Sequence, residues 1–162
     1  MRERILGVDI GGVIIDRVRN DGTDTAFKGD RYLETTSVPG AFETLAELRM
    51  RFDGRVYIVS KCGPIVQAKS KEWLKHKGFY DITGIPRENV NYCFERKDKA
   101  PICKRIGVTH FIDDRLEVLG YLDSVSNKYL FGPQNQRDLR CVESLQSIVL
   151  VNSWKDVLQK IN

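Results

Sequence analysis

The sequence is poor in metal-ligating and nucleophilic residues of the common kinds. It has only 2 His and 4 Cys, and no CxxC pair. That is a thin inventory for a zinc site. Cys62, Cys93, Cys103 and Cys141 read instead as free thiols of a reduced, cytoplasmic protein. No apolar run approaches the roughly 18 residues that a membrane span needs. The opening Met-Arg-Glu-Arg reaches Asp9 too soon for a signal-peptide core. There is no repeat, low-complexity tract or linker. No GxSxG elbow occurs. A GxxxxGK phosphate loop is also missing. A cysteine phosphatase needs Arg six residues after its Cys. Ala68 stands there after Cys62, and Lys99 after Cys93.

What remains is an ordinary globular composition. The 162 residues are 41% hydrophobic and 30% charged, with 26 basic and 22 acidic residues and a formal charge of +4. Such a length can bury one substantial core. The mild basic excess fits an anionic ligand without naming one.

Short apolar runs alternate with helical patterns. Arg4 to Asp9 reads as a buried strand ending in a carboxylate. Residues 17–38 have no periodicity and read as a long loop. Phe42, Leu45, Leu48 and Phe52 mark a helix that ends at Asp53-Gly54. Further strands are expected at 55–59, 90–93, 109–112, 127–131 and 148–151. Helices are expected at 64–77, 98–106, 116–122 and 154–161. The alternation implies an α/β fold, a mostly parallel sheet with helices on both faces. Trp73 and Trp154 fall on apolar helix faces and read as core. His76 and His110 read as structural residues.

Ligands of open parallel sheets bind beyond the carboxyl ends of the strands. Asp9, Ser60 and Asp113-Asp114 each end a strand, so they converge on one sheet edge. Three carboxylates there need a compensating cation. An all-oxygen set suits Mg²⁺ with a phosphate ligand. Ser60 could donate to phosphate oxygens, and Lys99, opening a helix, could offset charge. Backbone N–H groups around Gly11-Gly12 could add donors.

The runs Asp9-Ile10-Gly11-Gly12-Val13 and Val56-Tyr57-Ile58-Val59-Ser60, then Lys99, then Phe111-Ile112-Asp113-Asp114, resemble the four motifs of the haloacid dehalogenase (HAD) superfamily. They stand in the family's order within residues 5–119. The Asp-Asp-Arg run and the compact size look most like the 5′-nucleotidase-like and other capless branches. The resemblance implies a three-layer Rossmann-like HAD fold without a cap domain, in a single domain over 1–162. It implies a Mg²⁺-dependent phosphomonoester hydrolase working through an aspartyl-phosphate on Asp9. Asp9 and Lys99 would be catalytic, with Lys97 the less suitable substitute for Lys99. Ser60, Lys61, Gly11 and Gly12 would bind phosphate. Asp9, the Gly11 carbonyl, Asp114 and Asp113 would hold the metal, Asp113 through water or a second shell of contacts.

One departure stands out. Most phosphatases of that family carry Asp two residues after the nucleophile, as general acid and base. Here Gly11 occupies the position. The alternative reading is therefore a weak or inactive HAD-like binding protein. Asp16, at the end of the same turn, is the candidate stand-in. The expected substrate is a phosphorylated small molecule or nucleotide, or a larger phosphorylated molecule reaching an open site. The loop 17–38 would be a partial lid, and homo-oligomerisation another way to cover the site. Arg96, Lys97, Lys104 and Arg105 could guide a phosphorylated substrate. Nucleic acid is the disfavoured partner, because few aromatics interleave the basic residues.

Overall fold

A computed structural model describes residues 3–16, 27, 29–132, 139–140 and 147–162. Six strands form one parallel sheet: β1 (Leu6–Val8), β2 (Val56–Lys61), β3 (Val90–Cys93), β4 (His110–Asp113), β5 (Asn127–Phe131) and β6 (Ile148–Val151). Their spatial order is β3-β2-β1-β4-β5-β6, so β1 and β4 pair side by side where the order reverses. Among the described residues, the helices that connect and cover them are α1 (Ala41–Arg51), α2 (Pro64–His76), α3 (Phe79–Thr83), α4 (Lys99–Ile106), α5 (Leu116–Tyr121) and α6 (Trp154–Lys160).

The period of two along each strand divides the core. Leu6, Val8, Ile58 and Ile112 face the layer of α1, α2, α3 and α6, where Phe42, Trp73, Phe79 and Trp154 pack. Val59, Phe111 and Leu130 face the layer of α4 and α5, with Cys103, Val118 and Leu119. Between Leu6 and Val8, Gly7 lies under Phe111. A Cβ added there would stand 2.4 Å from the Phe111 ring, so glycine is what lets that ring cross β1. His110 is core, as expected. Its ring stacks on Tyr129, meets Phe52 edge-on and contacts the Thr109 hydroxyl at 2.8 Å.

The chain leaves β1 through a turn closed on itself. The Ile10 carbonyl accepts from the N–H groups of Val13, Ile14 and Ile15, at 3.2, 2.8 and 3.1 Å. Val13, Ile14 and Ile15 are buried, so the turn is part of the core. Ile15 bridges to Gly11 on one side and Ser37 on the other. The Trp154 indole N–H donates to the Val13 carbonyl at 2.8 Å, and that of Trp73 to Thr35 at 2.9 Å.

Expected and observed elements agree closely. Helix α3 is an addition, as are short 3-10 turns at Tyr32–Glu34, Arg87–Asn89 and Arg96–Asp98. Among the described residues, the connections from β1 to β2 and from β2 to β3 carry no cap domain. Half of the expected lid, 17–26 and 28, lies outside the described residues, as does Cys141. No described helix is long and apolar enough to cross a membrane.

Candidate active site

The reversal of strand order opens a crevice at the carboxyl ends of β1 and β4. Backbone pairing aligns the two strands there, and the Asp9 N–H donates to the Ile112 carbonyl at 3.0 Å. Asp9 therefore leaves β1 beside Asp113, the last residue of β4. Lys99 enters from the first turn of α4. Its position is fixed by the turn before it, where the Glu95 N–H donates to Asp98 Oδ2 at 3.1 Å and the Asp98 N–H to the Glu95 carbonyl. The Lys99 ammonium sits 2.9 Å from Asp9 Oδ1 and 2.8 Å from Asp113 Oδ2.

This bridge is almost fully removed from water. Asp113 is 0% exposed, Lys99 1% and Asp9 7%. Burial alone would push the Lys99 ammonium toward its neutral form. The carboxylates of Asp9 and Asp113 outweigh it and raise its pKa above the ordinary lysine value. Burial raises the Asp113 pKa, and Asp9 beside it adds to the rise against the opposing charge of Lys99. Both oxygens of Asp113 have protein partners, since Oδ1 accepts the Arg115 N–H at 2.9 Å. Lys99 also lies 5.6 Å from the centre of the Phe111 ring.

Oxygens of Asp9, Asp113 and Asp114 lie within 4.8 Å of one another. Mg²⁺ takes hard oxygen ligands at about 2.0–2.1 Å, which places its ligands roughly 3–4 Å apart. Two of these carboxylates, or one with an intervening water, fit that demand. The donor set is all oxygen and anionic, which suits Mg²⁺ and not a soft metal.

Above the bridge opens a cleft of about 330 Å³, lined by Asp9, Gly11, Ser60, Lys61 and Lys99 together with Asp16, Arg96 and Arg115. Five of the expected site residues thus share one cavity; Asp113 and Asp114 do not line it, but their carboxylate oxygens lie within 4.8 Å of those of Asp9, which does. Gly12 does not join them. Its N–H donates to the Ile15 carbonyl at 2.9 Å, and its φ of 78° is the left-handed conformation that closes the turn. The expectation that this N–H meets a phosphate is corrected: the turn already uses it.

Three cationic side chains therefore face the cleft besides buried Lys99. Arg96 lay within the basic cluster, but its tie to Glu117 at 2.7 Å was not foreseen. Arg115 was legible only as the third letter of Asp-Asp-Arg. Phe27 is the one described residue of 17–28 that reaches the cleft. Cys62 borders it as expected, and burial, then Asp9, push its thiol pKa up, away from the reactive thiolate.

No protein-family model and no curated protein matches the chain. Among solved structures it is similar to a protein from Burkholderia xenovorans provisionally described as a haloacid dehalogenase-like hydrolase. The two share 12% identity at a TM-score of 0.62, over 99% of this chain and 97% of the other. At that identity the likeness concerns the fold. The chain has the HAD-like fold, with a Rossmann-like parallel sheet.

Proposed function

We propose that the protein is a Mg²⁺-dependent phosphomonoester hydrolase with Asp9 as its nucleophile. One observation carries this reading: a buried Lys99 bridges Asp9 and Asp113 at the floor of an open, cation-lined cleft at the sheet's switch point. Desolvating such carboxylates costs stability even with the Lys99 pairing, and a buried charge-paired group lining a cleft marks a candidate functional site. Lys99 holds Oδ1 of Asp9. Oδ2 is then the oxygen left to attack phosphorus. Asp9, Asp114 and the Gly11 carbonyl would hold Mg²⁺. Asp113, engaged at both oxygens by Lys99 and Arg115, would act through Lys99 or through water. The bound metal would supply shielding between the anionic nucleophile and the phosphate dianion.

Ser60, Lys61 and Arg115 would bind the phosphoryl oxygens from the rim, Arg115 suited to a forked contact. The substrate class is a phosphorylated small molecule or nucleotide, and a cleft with no cap domain among the described residues also suits larger phosphoesters. The test is phosphate release from an aryl phosphate with Mg²⁺. Turnover should vanish with EDTA and fall to background in Asp9→Asn. No turnover across a broad phosphomonoester panel would overturn the reading. Gly11 favours a second one, a phosphate- or Mg²⁺-binding protein without turnover. Saturable Mg²⁺ and phosphate binding with no hydrolysis would establish that alternative.

A further inference from the structure

Phosphoester cleavage through Asp9 leaves a proton to be delivered, and Gly11 has no group to deliver it. We infer that Asp16 takes that part, as the general acid and base of this site. The inference rests on the phosphatase reading above. Its ground is the path of the turn. Ile15 pairs with Gly11, so the chain returns beside the position where an acid would otherwise stand, and the next residue is Asp16. The Asp16 backbone is pinned there, its N–H donating to the Thr36 carbonyl at 2.9 Å. Asp16 and Asp9 line the same cleft.

The other lining groups are unsuited. Lys61, Arg96 and Arg115 are cations that do not readily take a proton back. The Cys62 thiol is held protonated by burial and Asp9. Among the described lining residues, Asp16 is the one carboxylate besides Asp9, and none is His, Glu or Tyr. No described residue engages the Asp16 carboxylate by a hydrogen bond or ion pair.

The chemistry balances. An Asp9 oxygen bonds to phosphorus, and the ester P–O bond breaks with its electron pair on the leaving oxygen. The Asp16 carboxyl donates its proton to that oxygen, and the alcohol departs. A water oxygen then attacks the same phosphorus, and the bond from phosphorus to Asp9 breaks, restoring the Asp9 carboxylate. The proton from water passes to the Asp16 carboxylate, which ends as it began, and phosphate leaves.

The experiment compares an aryl phosphate with a simple alkyl phosphate, using the full chain with Mg²⁺. General acid help is typically worth about 10²–10⁴-fold for a poor leaving group. Asp16→Asn should lose that much on the alkyl ester and at least tenfold less on the aryl ester. Asp16→Glu, which keeps a carboxyl, should retain most alkyl turnover. Adding Gly11→Asp to Asp16→Asn should restore it, since the backbone at Gly11 lies outside the left-handed region that disfavours a side chain. If the Asn variant does not fold, Asp16→Ser is read in the same way. Equal losses on both esters, or no loss on either, overturn the inference while the phosphatase reading stands. A wild-type protein inactive on both esters overturns the two together.

Discussion

Lys99 concentrates the electrostatics of the site in one side chain. Removing one partner of a buried ion pair leaves an uncompensated charge and costs about 3–5 kcal/mol. Lys99→Met should lower stability by that order in metal-free urea unfolding at neutral pH. The loss should shrink as pH falls, because a protonated Asp113 no longer needs the ammonium. His110 gives a second prediction. Burial first, and the Arg4 charge second, lower its pKa from 6.5 to about 4. The unfolded chain binds the proton more readily, so stability present above pH 6.5 is lost as pH falls toward 4. At 1.36 kcal/mol per pH unit that is up to about 3 kcal/mol. Asp113, with its raised pKa, titrates with the opposite sign, so the two must be separated. The difference between wild type and His110→Leu in unfolding free energy between pH 6.5 and 4 isolates the histidine part. A flat difference would show that its ring is solvated.

Strand β1 is short, and its neighbours decide what it tolerates. Gly7→Ala would force the Phe111 ring, held between Gly7 and the α4 side of the core, to move. Overpacking of this kind costs about 1–3 kcal/mol. A thermal melt should show the drop, and Phe111→Leu added to Gly7→Ala should recover part of it. The same element explains what was legible. An apolar run ending in Asp is readable because burial and the strand end are both local. Helix α3 was not, because five residues carry too little periodicity and their helix is stabilised by packing on α1 and α2. The role of Gly12 was missed for a related reason. A Gly-Gly pair predicts free N–H groups, but which one the turn consumes depends on backbone closure on Ile15.

At the scale of the molecule, the strand order carries the site. Periodicity located the strands and their polar ends. Nothing local told that β1 and β4 would be neighbours, and it is that pairing which brings Asp9 to Asp113. The depth of Lys99 was equally invisible, since a lysine opening a helix is ordinarily solvated and here is 1% exposed. With no cap among the described residues, the cleft should discriminate weakly by size. A bulky and a small aryl phosphate of similar leaving-group strength should give kcat/KM within about tenfold of each other, against the much larger penalties expected of a closed pocket.

The indole of Trp154 bonds to Val13, 141 residues earlier in the chain. During synthesis, then, the loop that follows the nucleophile has its own closing bonds and its ties to residues 36–38, but lacks its link to the last helix layer until helix α6 has left the ribosome. A chain stalled before that helix carries every proposed catalytic side chain and yet lacks the clasp that holds them in order.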